Sequence, residues 1–282
     1  MKQKVIAIVG PTASGKTKMA IDLAKQINGE VISADSRYVY KDFNIATAKP
    51  TKEEQDGIPH HLIDIVDPYY DYSVADFYDD AKIKIYEIIN KGKTPIVAGG
   101  TGLYFKVLLE NYNLPRVEAN LDLRIELESC ETSFLLKELQ NLDPNSYEKL
   151  KNANKRRIVR ALEVIKTLNK PFSEVSIEKE PEFDVEWKIP FIESREHLYN
   201  RINKRVDLMI KNGLIEETEF LLQKYGRTKN FVDTIGYKEI LTYLDGQNSL
   251  EEALDKLKQH SRNYAKRQLT WFRRNPSLMI NY

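Results

Sequence analysis

A glycine-rich loop near the start of the sequence has the residue types that bind phosphate. Residues 10–17 read GPTASGKT, the complete pattern G-x-x-x-x-G-K-[S/T]. In such a loop, backbone N–H groups surround a phosphate, the lysine adds a positive charge and the last hydroxyl can bind Mg²⁺. The predicted di- or triphosphate site therefore consists of Gly10, Pro11, Thr12, Ala13, Ser14, Gly15, Lys16 and Thr17, with Thr17 as the metal ligand.

The loop does not identify the molecule that carries the phosphates. A kinase, a phosphorylase-like enzyme and a diphosphate-ester transferase all use such a site. Asp35, in ISADSRYVY, could hold Mg²⁺ through water or act as a general base, or it could form a helix cap with Ser36. Thr101, in AGGTGLY, could hydrogen-bond a phosphate or bridging oxygen, and it could also cap the following helix.

The elements around these residues predict how they meet. Short, β-branched segments at 4–10, 30–35 and 94–100 read as buried strands, and segments with helical periodicity follow them. Strands that alternate with helices predict an α/β fold, here a P-loop NTPase-like parallel sheet flanked by helices. Ligands of such sheets bind at the carboxyl ends of the strands, so we expect the loop, Asp35 and Thr101 to lie together there.

The composition of the sequence changes in its middle third. Residues 115–183 are charged, mostly helical in pattern, and without a clear buried strand. We predict a helical insertion domain there, which divides a core formed by residues 1–114 and 184–282. The second part of the core resumes with a strand-like segment at 185–194. It ends in a helical C-terminal region with a long basic helix from about Ser249.

Composition narrows the class of protein. The 282 residues are 41% hydrophobic and 30% charged, with a formal net charge of only +1, which is ordinary for a soluble globular protein. No apolar segment is long enough to cross a bilayer, no secretory signal is apparent, and Cys130 is the single cysteine. We expect a cytoplasmic monomer without a membrane association. Adjacent side chains in an extended segment point in opposite directions, so His60 and His61 are not expected to share a metal ion.

Two basic segments contrast with the balanced total. Between 256 and 282 there are seven basic residues and no acidic one: Lys256, Lys258, Arg262, Lys266, Arg267, Arg273 and Arg274. A smaller cluster, NKRRIVR, occupies 154–160, where Ile158 belongs to the buried stripe and the arginines are expected to face outward. Contact with the phosphates of an RNA is one interpretation, and a solvated basic helix face is the other.

An ordered set of motifs resembles a known family over nearly the whole chain. The segments are GPTASGKT, ISADSRYVY, IATAKP, PHHLIDI, YSVADFYDDA, PIVAGGTGLY, RALEV, LYNRINKRVDLMIKNGLIEE, IGYKE and YAKRQLTWFRR. Together they resemble the tRNA dimethylallyltransferase (isopentenyl-tRNA transferase) family. The resemblance implies that the loop holds the diphosphate of dimethylallyl diphosphate, with Mg²⁺ as cofactor. The dimethylallyl group would pass to the exocyclic N6 amine of the adenosine 3′-adjacent to the anticodon, in tRNAs reading codons that begin with U.

The resemblance also assigns roles to individual residues. Lys16, Thr101 and Asp35 are the expected catalytic residues, with Asp35 accepting the proton, and Arg205 is an expected additional diphosphate ligand, although it could also be an ordinary helix-surface arginine. The insertion would clasp the anticodon stem-loop. The residues expected at the tRNA are Asp35, Ser36, Arg37, Tyr38, Thr101, Arg124, Arg156, Arg157, Ile158, Val159, Arg160 and, from the basic helix, Arg262, Lys266 and Arg267.

Three positions depart from the family pattern. The family usually has Gln where this chain has Tyr38, Gly where it has Ala46, and Gln where it has Arg156. Gln is suited to reading a base edge and Tyr to stacking, so a shifted RNA preference is conceivable. The competing interpretations are an adenylate isopentenyltransferase that uses free AMP, ADP or ATP, a P-loop nucleotide kinase, and an RNA-binding protein without catalysis.

Overall fold

The computed structural model describes residues 2–177, 180–275 and 278. Over these residues the chain forms two compact units, one from Met1–Leu108 with Phe183–Tyr282 and the other from Leu109–Glu182. Residues 178–179 of the predicted insertion and residues 276–277 and 279–282 of the predicted basic segment lie outside the described residues. No helix of the described part is both long and apolar enough to span a membrane.

A parallel sheet forms the centre of the first unit. Its strands in the described residues are β1 (Lys4–Val9), β2 (Gly29–Ala34), β3 (His60–His61), β4 (Thr94–Gly99) and β5 (Asp184–Lys188). They lie in the order β3-β2-β4-β1-β5, with parallel pairing throughout. This confirms the predicted parallel α/β sheet. The sequence did not indicate β3, because two residues are too few to show a strand pattern.

Helices account for most of the remaining described residues. In chain order they are α1 (Lys16–Ile27), α2 (Lys52–Gln55), α3 (Val74–Asn90), α4 (Gly102–Leu109), α5 (Leu121–Ser129), α6 (Thr132–Leu142), α7 (Pro144–Leu150), α8 (Lys155–Leu168), α9 (Phe172–Val175), α10 (Arg195–Lys211), α11 (Leu214–Tyr225), α12 (Lys229–Val232), α13 (Tyr237–Leu244) and α14 (Leu250–Phe272). The second unit contains α5 to α9 and no strand among its described residues.

Local sequence explains where two of these helices begin. Ser73 accepts a hydrogen bond from the backbone N–H of Asp76, and the Asp76 carboxylate accepts one from the Ser73 N–H, which is the capping box that the sequence indicated for α3. α1 begins directly after the glycine-rich loop, at Gly15, whose φ of 94° is unfavourable for a residue with a Cβ atom. Its Ala20 and Ala24 are buried against the sheet. The helix thus presents its first turn to the loop.

α8 forms the centre of the second unit. Ile158, Leu162 and Ile165 of this helix are at most 7% exposed and pack with Leu135 and Leu139 of α6. The hydrophobic positions of α8 recur with spacings of three and four, so one face of the helix is buried and the other remains exposed. The sequence predicted this buried stripe correctly.

A buried carboxylate at the amino-terminal end of β2 joins three cationic groups. Glu30 is 2% exposed, and its oxygens accept hydrogen bonds from His61, Lys91 and Lys93 at 2.8, 3.2 and 2.8 Å. Burial alone would raise the pKa of the Glu30 carboxyl, but the hydrogen bonds from Lys93, His61 and Lys91 hold it at about 2. The cluster ties β2 to β3 and to the segment between α3 and β4.

We expect the substitution Glu30→Gln to lower the free energy of unfolding by about 3 kcal/mol at pH 7, because it removes the negative charge of a buried carboxylate that accepts hydrogen bonds from Lys91, Lys93 and His61. The native pKa of Glu30 lies below that of the unfolded chain, so its stabilisation is complete above the unfolded pKa and is lost as the pH falls towards 2. Urea denaturation should therefore show a difference that narrows between pH 7 and pH 3.

Glu186→Gln is the matched control. The pKa of Glu186 is also held at about 2 by hydrogen bonds from Lys188 and Lys4, yet its side chain is 41% exposed. A surface pair of this kind should contribute at most about 1 kcal/mol. Equal losses from the two substitutions would contradict the role assigned to burial.

Candidate active site

A cavity of about 670 Å³ lies at the carboxyl ends of β1, β2 and β4. Seven stretches of the first unit form its wall: the glycine-rich loop, the segment after β2, the loop around Ala46, the end of β4, helix α10, the segment after α12 and helix α14. Its polar lining residues are Thr12, Lys16, Thr17, Asp35, Ser36, Arg37, Tyr38, Thr47, Arg201, Lys204, Arg205, Asp233, Thr234, Ser261, Tyr264, Arg267 and Gln268. Cations predominate over carboxylates, so the cavity is suited to an anion.

The loop places its lysine above a ring of backbone groups. The Lys16 ammonium group donates to the Pro11 carbonyl oxygen at 2.6 Å. Ser14 is 3% exposed, and its hydroxyl has no hydrogen-bond partner among the described residues. Ala13 has a left-handed φ of 61° and packs against the apolar cluster between α10 and α14. The loop is therefore held from behind while a buried hydroxyl and an ammonium group remain for a ligand.

Burial lowers the pKa of Lys16 to about 7, although the nearby Asp35 carboxylate opposes that shift. Arg205 lowers the pKa further by repulsion between the two cations. An anion bound in the loop would raise the pKa of Lys16 again, because its negative charge would stabilise the ammonium form of the lysine. The environment of Lys16 thus favours the binding of an anion.

Asp35 stands at the end of β2 in the same cavity. One of its carboxylate oxygens accepts a hydrogen bond from the Arg37 backbone N–H at 2.9 Å. Burial raises the pKa of the Asp35 carboxyl, while the Arg37 N–H and the neighbouring Lys16 act against the increase. A carboxylate with a raised pKa accepts protons more readily than an exposed one. Asp35 thus accepts the hydrogen bond of a turn and also lines the cavity, where it can still act chemically.

Thr101 lies one hydrogen bond behind the cavity wall. Its hydroxyl oxygen accepts from the backbone N–H of Ser36 at 3.1 Å, and the Tyr264 hydroxyl is hydrogen-bonded to the same side chain. The Thr101 hydroxyl is thus hydrogen-bonded to both Ser36 and Tyr264. Thr101 therefore connects the end of β4 to the segment that carries Asp35.

Arg205 reaches the loop from α10. Its guanidinium group donates to the Thr12 hydroxyl at 3.2 Å and to the Ala48 carbonyl at 3.4 Å. The Tyr38 hydroxyl also donates to the Ala48 carbonyl, at 2.8 Å. The arginine is thus part of the cavity wall and not a member of a helix-surface ion-pair network. Tyr38 uses its hydroxyl within the protein, while one side of its ring lines the cavity.

The basic residues of α14 differ in how they are paired. Lys258 forms an ion pair with Asp207 of α10 at 2.7 Å, and Arg262 donates to Asn203 at 2.7 Å. Lys266 and Arg267 are exposed. Counting basic and acidic residues within the C-terminal segment could not reveal this pairing, because Asp207 belongs to a different helix. The surface on α14 best placed for a polyanion is therefore at Lys266 and Arg267.

In the second unit, part of the expected RNA-facing segment is wrong. The side chains of Ile158 and Val159 are 0% and 2% exposed in the helical core, so they cannot contact RNA. Arg160 does not point freely outward either, because it pairs with buried Glu163 at 2.6 Å and donates to the Val117 carbonyl. A helix turns by about 100° per residue, so five consecutive residues cannot all lie on one outward face.

Arg124 shares this internal partner. It pairs with Glu163 at 2.9 Å, and its guanidinium group is half-buried. Burial alone would raise the pKa of Glu163, but hydrogen bonds from Arg124 and Arg160 hold it below its ordinary value. Arg156 and Arg157 are both exposed at the start of α8. They are the members of the predicted segment that remain accessible to a polyanion.

The sequence profile described as IPP transferase matches residues 38–275, which is most of the chain. A curated tRNA dimethylallyltransferase from Halalkalibacterium halodurans is 48% identical over 280 residues, covering 97% of this chain and 89% of the relative. The chain belongs to the IPP transferase family. A second family profile, described as isopentenyl transferase, matches residues 3–65.

Other members of the IPP transferase family agree in extent and in fold. A tRNA dimethylallyltransferase from Anoxybacillus flavithermus is 45% identical over 276 residues, which is 97% of this chain and 88% of the relative. The crystal structure of a tRNA isopentenylpyrophosphate transferase from Bacillus halodurans matches with a TM-score of 0.72 and 46% identity, over 98% of this chain and 88% of that one. A eukaryotic dimethylallyltransferase acting on tRNA matches with a TM-score of 0.83 and 32% identity, over 96% and 70% of the two chains.

The sequence analysis did not identify two residues that line the cavity. Arg201 lies one helical turn before Arg205 on α10, and Gln268 lies on the buried face of α14. Spacing could have found both. Arg201 and Arg205 are four residues apart and share a helix face, while Gln268 is a polar residue in the otherwise apolar series Ala265, Leu269 and Phe272.

The oxygen donors of the cavity fit a magnesium ion that is held mainly by its substrate. Thr17 and Asp35 contribute a hydroxyl and a carboxylate to one cavity, and the described residues contain no group of three or more His, Cys, Asp or Glu that could hold a metal ion. Mg²⁺ commonly binds through one or two protein oxygens, substrate phosphates and water. The site thus suits a phosphate-bound Mg²⁺ and not a dedicated protein cage.

We expect Lys16→Met to raise the melting temperature of the unliganded enzyme and to weaken pyrophosphate binding by on the order of 100-fold. The native pKa of about 7 is below that of the unfolded chain, so the unfolded state binds more protons between pH 7 and pH 10. The native protein therefore gains stability with pH, and the advantage of the variant should shrink from pH 6 to pH 9. Calorimetry and thermal denaturation measure both quantities.

Lys18→Met is the control, because Lys18 lies on the exposed side of α1 and pairs with Asp22. It should change neither pyrophosphate affinity nor the pH dependence of melting. A Lys16→Met variant with native pyrophosphate affinity would remove the lysine from the phosphate site.

Proposed function

We propose that this chain transfers the dimethylallyl group from dimethylallyl diphosphate to the N6 amine of an adenosine in tRNA, with release of diphosphate. The observation that carries the proposal is that one cavity combines a glycine-rich loop of the phosphate-binding pattern with Asp35, whose carboxyl has a raised pKa. Membership of the IPP transferase family supports it, since the relatives named above are tRNA dimethylallyltransferases or tRNA isopentenylpyrophosphate transferases.

The proposed diphosphate site is the loop from Gly10 to Thr17 together with Arg205. Gly15, Lys16, Thr17 and Arg205 line this cavity, and the proposed ligands of the diphosphate are the loop N–H groups not bonded within the protein, the Lys16 ammonium group and the Arg205 guanidinium group. As the bond between the prenyl carbon and the diphosphate oxygen lengthens, negative charge grows on the leaving group, and these cations and dipoles stabilise it. A Mg²⁺ held by Thr17 and the phosphates would neutralise more of that charge.

Asp35 and Thr101 are the proposed catalytic side chains at the reacting atoms. The carbon–oxygen bond breaks with its electron pair going to diphosphate, and a carbon–nitrogen bond forms to the adenine amine. The attacked amine becomes acidic and gives its proton to the Asp35 carboxylate, whose raised pKa suits it as an acceptor. The Thr101 hydroxyl is the proposed donor to the bridging oxygen of the leaving diphosphate.

The proposed acceptor is the adenosine 3′-adjacent to the anticodon in tRNAs reading codons that begin with U. A base within a stem-loop must leave its stack to enter a cavity lined by Ser36, Arg37 and Tyr38, at a cost of a few kcal/mol that phosphate contacts offset. Lys266 and Arg267 of α14 are the proposed contacts on the first unit. On the second unit we propose Arg156 and Arg157, in accord with an anticodon-stem role for residues 115–183.

An adenylate isopentenyltransferase remains the competing function. The observation that favours it is the isopentenyl transferase profile over residues 3–65, which covers the loop and Asp35. That match does not extend to α14 or to the second unit, whereas the IPP transferase profile covers both. A nucleotide kinase has no comparable observation in its favour.

The acceptor decides between these functions. With Mg²⁺ and labelled dimethylallyl diphosphate, we expect the native protein to label unmodified tRNA and not AMP. Asp35→Asn should lower kcat by about 10²- to 10⁴-fold and leave the tRNA dissociation constant within about twofold, because the amide cannot accept the proton. Asp22→Asn is the control on the exposed side of α1. Label in AMP but not in tRNA would contradict the proposed function. A loss of tRNA affinity in Asp35→Asn that matches its loss of kcat would contradict the proposed role of Asp35 as the proton acceptor.

The double substitution Lys266→Gln/Arg267→Gln tests the RNA surface of α14. Each neutralised phosphate contact should lower the slope of log K against log[salt] by about 0.7–0.9, so we expect a total decrease near 1.5 and weaker tRNA binding at low salt. Filter binding from 50 to 300 mM salt measures this slope. Lys18→Gln/Lys25→Gln changes the net charge by the same amount on α1 and should leave the slope unchanged. An unaltered slope in the α14 variant would exclude phosphate contact there.

A further inference from the structure

A buried glutamine of α14 binds two parts of the site at once. The side-chain oxygen of Gln268 accepts a hydrogen bond from the Thr12 backbone N–H at 2.8 Å, and its amide nitrogen donates to the Gly100 carbonyl at 3.0 Å. Gln268 is only 5% exposed. Both halves of the amide are satisfied, so its orientation is fixed by the donor on one side and the acceptor on the other.

The backbone around Gly100 is shaped to receive this side chain. A Cβ atom at Gly100 would lie 2.1 Å from the Gln268 amide nitrogen, whereas the next backbone atom, the Gly10 carbonyl oxygen, would be 3.5 Å away. The φ of Gly100 is not in the left-handed region. The missing side chain therefore serves the close approach of the glutamine and not an unusual backbone conformation.

The conformation of the phosphate loop also depends on Gln268. Thr12 donates its backbone N–H to Gln268, so this group is committed to the protein and not to the ligand. Arg205 holds the Thr12 hydroxyl from the opposite side, and Ala13 packs against the cluster of α10 and α14. Without Gln268, the N–H of Thr12 would lose its protein partner, and the loop would keep only the hydrogen bond from the Ser14 N–H to the Pro11 carbonyl and its side-chain contacts.

We propose that Gln268 is a positioning residue for the transfer reaction: it sets the conformation of the phosphate loop through Thr12 and registers that loop against Gly100, next to Thr101. This rests on the proposed function. α14 also carries Lys266 and Arg267, so the helix that provides the RNA contacts holds the diphosphate loop in its binding conformation. Gln268 itself touches neither reacting atom.

The test uses the isosteric substitution Gln268→Met in the full chain. We expect pyrophosphate to bind roughly 5- to 20-fold more weakly and the KM for dimethylallyl diphosphate to rise by a similar factor, the effect of losing two buried hydrogen bonds. The tRNA dissociation constant should change by less than about twofold, because Lys266 and Arg267 remain on an intact helix. Gln259→Met, on an exposed position of the same helix, should affect none of these quantities.

A double-mutant cycle separates positioning from general damage to the core. Gly100→Ala should impair pyrophosphate binding by displacing Gln268, and Gln268→Ala should impair it by removing the same contact. In the double variant the alanine methyl group meets no glutamine, so pyrophosphate affinity should equal that of Gln268→Ala alone. Additive losses would show that Gly100 acts through another contact and would overturn the proposed register.

Further outcomes distinguish this inference from the proposed function. Native pyrophosphate affinity in folded Gln268→Met would overturn the positioning role even if tRNA prenylation is confirmed. If Gln268→Met does not fold, the comparison of Gln268→Ala with the double variant decides. Failure of the native protein to prenylate tRNA would contradict the proposed function, whereas the pyrophosphate measurements would still report on the loop. A loss of tRNA affinity equal to the loss of pyrophosphate affinity would also contradict the inference.

Discussion

The site depends on keeping cations close together in one cavity. Lys16 and Arg205 repel each other, and burial already disfavours the charged form of the lysine. The protein compensates only in part, through the Pro11 carbonyl and the Asp35 carboxylate. What completes the compensation is an anion in the loop, so the arrangement gives up stability in the free protein for affinity towards a diphosphate. The parallel sheet makes this possible because its strands end in a common edge where such groups converge.

Much of the fold could be predicted from the sequence, because the central strands are short, largely apolar segments and longer helices such as α1 and α8 have apolar positions at spacings of three and four. The loop could be predicted for a different reason: its glycines and its lysine stand at fixed spacings that the phosphate geometry requires. The capping Ser73 of α3 was found in the same way, since capping is a local interaction. By contrast, β3 was missed, because its pairing with β2 is stabilised by the tertiary structure and not by its own two residues.

The site was predicted less completely where a residue depends on a partner distant in the chain. The outward-facing role expected for Arg160 failed because the sequence does not show that Glu163 is buried and shared with Arg124. The contrast between Lys258 and Lys266 could not be seen either, since Asp207 neutralises only the former and belongs to another helix. Polar side chains on buried faces, such as Gln268 and Glu163, were the available signal for these contacts, because a buried polar group must find a partner.

The hydrogen bond between Thr12 and Gln268 spans 256 residues of sequence, from the first loop of the protein to its last long helix. At translation rates of about 5–20 residues per second, the loop leaves the ribosome roughly 13–50 s before the side chain that holds it. During that interval the nascent chain carries the phosphate-binding motif without its partner on α14. On the proposed role of Gln268, full affinity for the prenyl donor would therefore arise only late in synthesis, once α14 has been made.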